Sequence, residues 1–494
     1  MCVWYNFLKN KNKNMKKIAH YINILFNVSN HEWPRIILSW SLKMVVHAAF
    51  VMSSTILLAL FVEEFGLNKL PVMYIISALF VVGGSVFFAF FLERFEKKKE
   101  IVGTTVLAAV LFLLSPFLNE FSTFFYGVMF IAISVFISQL NIILALFIEE
   151  LFSPLESERT FPIIESSEPI GGILAGVILT FGVTKFHLSA LDLLFYTAVL
   201  LLSVVPILFL FLKQTNKVPQ LEENELGEES KNRFDRAKKG LRHIKGMPFL
   251  KGMLIVVLLH FTFVNLIEFQ YTSVLDSSVQ HEQESSHGGG NSHNSYAKKA
   301  DSHNSHGDNS HGDGHSHADA LTHGLAFWHV MFSIIAFLTQ TISSSRIHKY
   351  FGVITSMRIH PLINFFSSIL LLVKFGFATG IAGRGIFEVT TMMHRTTYHA
   401  SFYSLKKSIR EQVKEFMEGI IRPLGVIIGT TLLYLILFFV PEDLQHSVIS
   451  ALMIVIMVLM YIVLHKMQDS YTLVAKKNLN TRNSNMEKLK LLKF

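Results

Sequence analysis

Apolar runs of about twenty residues, separated by short polar or charged stretches, follow one another along almost the whole chain. An α-helix rises about 1.5 Å per residue, so roughly 20 apolar residues carry it across the hydrocarbon of a bilayer. The pattern predicts twelve spanning helices, at 36–62, 71–93, 101–118, 123–148, 161–183, 190–213, 249–275, 325–345, 353–374, 376–397, 417–440 and 446–464. The tenth is the weakest span, because Arg384, Glu388, His394 and Arg395 interrupt it. A polar stretch at 214–248, with LEENELGEES and RFDRAKKGLRHIK, separates six spans from six and reads as a cytoplasmic linker with a surface helix. The expected fold is an all-α membrane protein with two six-helix halves, 35–213 and 249–464, an N-terminal segment 1–34 and a tail 465–494.

The connections orient these spans. Arg94 with Lys97, Lys98 and Lys99, the linker, Arg346 with Lys349 and Arg358, and Lys406 with Lys407, Arg410 and Lys414 lie on one side, as does the basic tail. The opposite connections, such as Glu63 to Leu70 and Pro441 to Gln445, are short and nearly free of basic residues. Lysine and arginine stay preferentially in the cytoplasm, so both termini are expected there, in a bacterial inner membrane. The first fourteen residues lack a signal core and cleavage site, so no cleaved leader is expected; Met15 offers a second start.

The halves repeat weakly. Span 1 contains His47-Ala-Ala-Phe50-Val51 where span 7 contains His260-Phe-Thr-Phe263-Val264, and span 5 reads Glu168-Pro169-Ile170-Gly171 where span 11 reads Arg422-Pro423-Leu424-Gly425. His47 and Pro169 are 122 residues apart and His260 and Pro423 163 apart, an excess of 41 in the second half. A His-, Ser- and Gly-rich connection after span 7, taken as 276–323, accounts for that excess, and removing it brings two parallel repeats into register.

Composition agrees with a lipid solvent: 51% of the residues are hydrophobic and 16% charged, against roughly 25% charged in an average soluble domain. The net charge of +8 is dispersed over loops and forms no continuous basic face, which argues against nucleic acid as a partner. The single cysteine, Cys2, excludes an internal disulfide or a thiolate metal cluster.

Ionisable residues inside a span cost about 2.5–3.5 kcal/mol on insertion scales and by default face a cavity, a partner or water. Here they are Lys43 and His47 in span 1, Glu165 and Glu168 in span 5, His260 and Glu268 in span 7, Arg384, Glu388 and Arg395 on one stripe of span 10, and Glu418 with Arg422, spaced as an i,i+4 pair, in span 11. Their basic share suggests an anionic solute, with Lys43 either lining a cavity or snorkelling to the headgroups. Glu165 and Glu168, on one turn, suit proton coupling or a gate ion pair. Gly172 with Gly176, and Gly425 with Gly429, read as close-packing sites between helices. The external connection includes His311, Asp313, His315 and His317, donors suited to weak, exchangeable binding of a divalent metal; no other cofactor is expected.

Three segments carry a family resemblance: ALFVEEFGLNKLPVMYIISAL after span 1, ERTFPIIESSEPIGGILAG at span 5 and REQVKEFMEGIIRPLGVIIG at span 11. They resemble the ATP/ADP translocase-like branch of the major facilitator superfamily, with Arg159, Phe161, Pro162, Gly171, Gly172 and Gly176, and then Arg410, Lys414, Glu418, Gly419, Pro423 and Gly425, at its motif positions. The resemblance implies a major facilitator-type alternating-access carrier related to nucleotide exchangers. Nucleotide exchangers of that branch carry a charged motif in helix 1, whereas Val51 to Leu57 here has no charge, so the scaffold is implied more firmly than ATP/ADP exchange. The expected function is secondary transport of a small anionic solute, such as a nucleotide or related metabolite, with a proton or counter-solute. Metal-linked transport through the His-rich connection, and a non-transporting scaffold or sensor, are the alternatives. No phosphate-cradling glycine loop, HExxH or nucleophile elbow suggests an enzyme.

Overall fold

A computed structural model of the chain describes residues 28, 32–91, 97–118, 125–152, 160–161, 163–215, 233–287, 317–339, 352–405 and 407–491. Among the described residues, twelve spanning helices follow in order. They are α1 (Trp33–Phe65), α2 (Leu70–Phe91), α3 (Lys97–Leu118), α4 (Phe125–Glu150), α5 (Ser167–Phe186), α6 in two pieces (Ala190–Leu202 and Val204–Thr215), α7 (Pro248–His287), α8 (His317–Thr339), α9 in two pieces (Val353–Met357 and Ile359–Val373), α10 (Phe377–Ser401), α11 (a π-helical turn Met417–Ile421 leading into Arg422–Phe439) and α12 (Glu442–Leu491). Among the described residues, ten helices are long and apolar enough to cross a membrane by length and composition alone, and α10, with its internal charges, is not one of them.

Hydropathy misplaces two boundaries, because a helix continues through polar residues once the apolar run has ended. The connection expected at 276–323 is shorter, since α7 continues to His287 and α8 begins at His317. The tail expected to begin at 465 is instead the continuation of α12. Local chemistry explains the breaks. Pro361 and Pro423 have no N–H to give to the carbonyl four residues back. One lies just beyond the interruption of α9 at Arg358, the other just beyond the π-helical turn of α11. Gly66 and Gly352, at φ +79° and +77°, end α1 and precede α9 in a region that other residues enter only with strain.

Each half has its own apolar core. The first gathers α1 to α6 and extends to Tyr271, Leu275, Leu321, Leu325 and Phe332, so the outer end of α7 and much of α8 pack against the opposite half. The second runs from Ile244 to Met467. Helices α5 and α8, and α2 and α11, meet across the halves, while α1 with α5 and α7 with α11 cross inside them. The linker helix Arg233–Gly246 lies on the short helix Lys407–Phe416 that precedes α11.

The weak repeat has a packing counterpart. A Cβ at Gly171 would stand 2.6 Å from the Met44 carbonyl oxygen and 3.2 Å from the Ala48 nitrogen; one at Gly425 would stand 2.9 Å from the Leu258 carbonyl oxygen and 2.9 Å from Phe261 Cβ. Ala48 and Phe261 each follow the paired histidines, so α5 rests on α1 as α11 rests on α7. Gly172 and Gly176 have another role: Gly172 faces His329 and Ser333, and Gly176 faces Val330 and the Ala326 carbonyl, closing the α5–α8 contact between halves. Gly429 lies against the Thr262 backbone, where a Cβ would come within 2.6 Å of the carbonyl oxygen. Backbone cannot yield as a flexible side chain does, so Gly429→Val is expected to cost about 1–3 kcal/mol or more through overpacking. A lowered melting temperature in detergent reads it, with Gly419→Ala, which meets nothing within 4 Å, as the silent control.

Candidate transport pathway

Two partly buried ion-pair networks lie along α10; inner and outer here follow the orientation expected from the loop charges. At the inner end, Lys43 Nζ on α1 is 2.5 Å from Glu165 Oε2 and 3.1 Å from Glu168 Oε1. Glu168, in the first turn of α5 where the helix dipole favours an acid, also accepts from Arg395 Nη1 of α10. Its carboxylate therefore holds one cation from its own half and one from the other. Lys43 is buried and paired, so it does not snorkel. Trp40 Nε1 donates to Ser166 Oγ at 3.2 Å and fixes the turn that presents the two acids.

Toward the outer side, one guanidinium serves two carboxylates. Arg384 Nε donates to Glu268 Oε2 of α7 at 2.8 Å, and Nη1 donates to Glu388 Oε2, one turn along α10, at 2.5 Å. Tyr271 and Phe387 flank the guanidinium, with ring centroids 5.9 and 5.7 Å from it. Such charge-assisted, forked pairing holds a planar group in one orientation.

Two histidines lie between the networks. His47, from the first half, is within electrostatic reach of Glu168, Arg395, His329 and Glu388. His329, from the second half, is within reach of Glu388, Arg384 and Glu268, and its buried Nε2 has no hydrogen-bond partner. Thr391, on the same stretch of α10, also has a buried hydroxyl without a partner. The sequence reading missed His329, whose only signal was an ionisable residue between Trp328 and Val330 in an apolar run.

The remaining candidates fall elsewhere. Arg422 pairs with Glu418 at 3.4 Å and stacks over Phe261, with its centre 4.7 Å from the ring centroid, and Glu418 is within electrostatic reach of Arg395. His260 faces two other histidines, His360 and His394, and is within electrostatic reach of Arg395 and Arg422. His311, Asp313 and His315 lie outside the described residues; His317, the first residue of α8, has Nε2 3.2 Å from Asp276 Oδ1. No three His, Cys, Asp or Glu side chains among the described residues are arranged to hold a metal ion. Lys43, Arg384 and Arg395, three of the residues that supply the basic share, face four acids, Glu165, Glu168, Glu268 and Glu388, and each of the three is paired.

Two six-helix halves, linked by the Arg395–Glu168 ion pair and enclosing unpartnered polar groups, have the build of a membrane transporter. A family model for the Major Facilitator Superfamily matches residues 16–290, more than half of the chain, and the chain belongs to that superfamily. It is similar to a bacterial homologue of the iron transporter ferroportin in an outward-facing state, with TM-score 0.59 and 13% identity over 88% of this chain and 99% of that one. It is also similar to a mutant form of the nucleoside transporter NupG, with TM-score 0.53 and 12% identity over 87% of this chain and 99% of that one. A third similar structure is an auto-inhibited peptide transporter of the POT family, with TM-score 0.53 and 11% identity over 90% of this chain and 97% of that one. At such identities the likeness concerns the fold. No curated protein sequence matches the chain significantly.

Proposed function

We propose that the protein is a proton-coupled secondary carrier for a small anionic solute, placed in a bacterial inner membrane with both termini cytoplasmic. One observation carries this reading: Arg384, buried at the junction of α7 and α10, is shared by Glu268 and Glu388. Protonating either acid releases one edge of the guanidinium, and an incoming carboxylate or phosphate takes its place. The anion thus enters with a proton, and no unpaired charge is left in the low-dielectric interior. His329, within electrostatic reach of Arg384, supplies a neutral hydrogen-bonding group near the freed edge in its unpartnered Nε2. The halves then rock about this site, with Glu168 and its two cations as the inner latch. Resemblance to ATP/ADP translocase-like carriers turns the choice of anion toward a nucleotide or related metabolite.

The test is uptake into proteoliposomes of labelled ATP, ADP and phosphate, with and without an acid-outside pH gradient. Uptake of at least one, accelerated by the gradient, is expected; inertness toward all three overturns the nucleotide reading. A second reading, metal-linked transport, draws on the Asp276–His317 contact at the base of the His-rich connection. Deleting residues 288–316 tests it, and unchanged transport together with unchanged metal tolerance of the host rejects it.

A further inference from the structure

Two helix ends meet at the outer side of the second half. Asp276 lies on α7, about three turns before that helix ends at His287, and His317 is the first residue of α8. His317 Nε2 stands 3.2 Å from Asp276 Oδ1, yet both atoms are buried and neither has a hydrogen-bond partner. The other carboxylate oxygen is held: Gln280, one turn along α7, donates from Nε2 to Oδ2 at 3.0 Å. Asp276 is 8% exposed and, among the described residues, pairs with no lysine or arginine.

A neutral imidazole nitrogen and a carboxylate oxygen that face each other without a shared proton bring two lone pairs together. Such a contact calls for a positive charge between them, either a proton on His317 or a metal ion. The separation suits the metal. Zinc binds imidazole nitrogen at about 2.0–2.1 Å and carboxylate oxygen at about 2.0–2.2 Å, so tetrahedral geometry sets two such donors about 3.3 Å apart. One nitrogen and one oxygen donor suit zinc, nickel or copper, whereas magnesium and calcium take oxygen alone. The Gln280 amide fixes which oxygen of Asp276 is presented, as hydrogen bonds to ligating groups do at metal centres generally.

His317 also begins the helix that covers the outer side. Two residues on, Asp319 Oδ1 accepts from the Ala190 N–H at the start of α6, at 2.8 Å, a contact from the second half to the first. Ala318 and Leu321 are buried in the core of the first half. An ion that ties α8 to α7 therefore fixes the face that α8 presents across the halves. The other charged groups at this end, Glu63 and Glu64 of α1 and Asp319, are acids and favour a cation.

We propose that Asp276 and His317 form a regulatory site for a divalent cation of the zinc class, and that the bound ion braces the outer side closed. Water fills the positions on the ion that these two residues leave open. Ion and proton compete for His317 Nε2, because only the neutral imidazole ligates. The ion acts as a regulator and not as cargo: Asp276 lies eight residues beyond Glu268, about 12 Å along α7 from the Arg384 network.

The brace rests on the carrier reading, whereas metal binding does not, and the test separates the two. Full-length protein in nanodiscs, with every histidine of 281–315 replaced by serine so that the connection contributes none, is titrated with zinc chloride and, separately, with magnesium chloride. One zinc per chain and no magnesium are expected. On that background Asp276→Asn and His317→Gln are each expected to weaken zinc binding at least about tenfold. One spin label at the outer end of each half reads the separation with and without zinc. Zinc is expected to raise the ratio of outer-closed to outer-open chains at least about fivefold in the parent and to leave it unchanged in both variants. Zinc-free separations that match the parent's show that the variants fold. A parent that binds no zinc, binding that survives both substitutions, or a separation that zinc leaves unchanged in a chain active in uptake overturns the proposal. A single separation under every condition, with no uptake in proteoliposomes, rejects the carrier reading, and the titration alone then decides whether the pair holds the metal.

Discussion

Arg384→Leu is expected to abolish uptake of whatever anion the wild-type carrier moves, and to lower stability in the same step. The substitution leaves Glu268 and Glu388, both partly buried, without their cation; a fully buried stranded charge costs about 3–5 kcal/mol, and their partial exposure brings this to about 1–3 kcal/mol. The acids escape part of this by protonating, so the fold survives at acid pH better than at alkaline pH. Melting temperature against pH is the measurement that shows it. Arg384→Lys separates charge from shape. An ammonium is a compact point charge that cannot present two edges to two carboxylates, so this second variant is expected to recover most of the stability and little of the uptake. Adding Glu268→Gln and Glu388→Gln to the leucine variant should restore the melting temperature without restoring transport. Full uptake in Arg384→Leu would remove this arginine from the pathway.

Glu168→Gln is expected to shift the carrier toward an inner-open state. The amide retains the shape and a hydrogen-bond acceptor but loses the charge that draws Lys43 and Arg395 together across the halves. Arg395 is 36% exposed, so the effect is discounted from the fully buried value to about 1–3 kcal/mol. That corresponds to a change of about 5- to 150-fold in the ratio of the two states. Spin-label distances across the inner ends report the ratio directly, and exchange should become leaky as the latch weakens. Reversing the pair, with Glu168→Arg and Arg395→Glu together, should recover part of the closed population. An unchanged ratio in Glu168→Gln would show that the contact accompanies closure without holding it.

Much of the architecture was legible because crossing a bilayer demands little more than length and apolarity. Where polar residues continue a helix, that signal ends too soon, as at Asp276 in α7 and again in the tail that prolongs α12. The repeat was legible through His47, His260 and two prolines, and the α1–α5 and α7–α11 crossings share its register. Within the site, pairs on one helix could be read from spacing: Arg384 with Glu388, and Glu418 with Arg422, are i,i+4. Pairs between helices could not, since nothing in the order of residues tells that Arg395 reaches Glu168, 227 positions away. His329 was missed because a lone histidine in an apolar run resembles any other satisfied core residue until its unpartnered nitrogen is located in space.

The two networks have one helix in common. Arg384 and Arg395 sit eleven positions apart on the unbroken α10, about 16 Å along its axis. No proline lies between them, and Gly385, the one glycine there, is packed against the ring of Phe332. A segment that cannot compress behaves as a piston: when cargo draws on one end, the other end must slide or turn by a matching amount. For the carrier proposed above, sensing and release would then be two ends of a single stroke, with no relay of intermediate contacts to time them. A proline introduced between the two arginines would convert that stroke into slack.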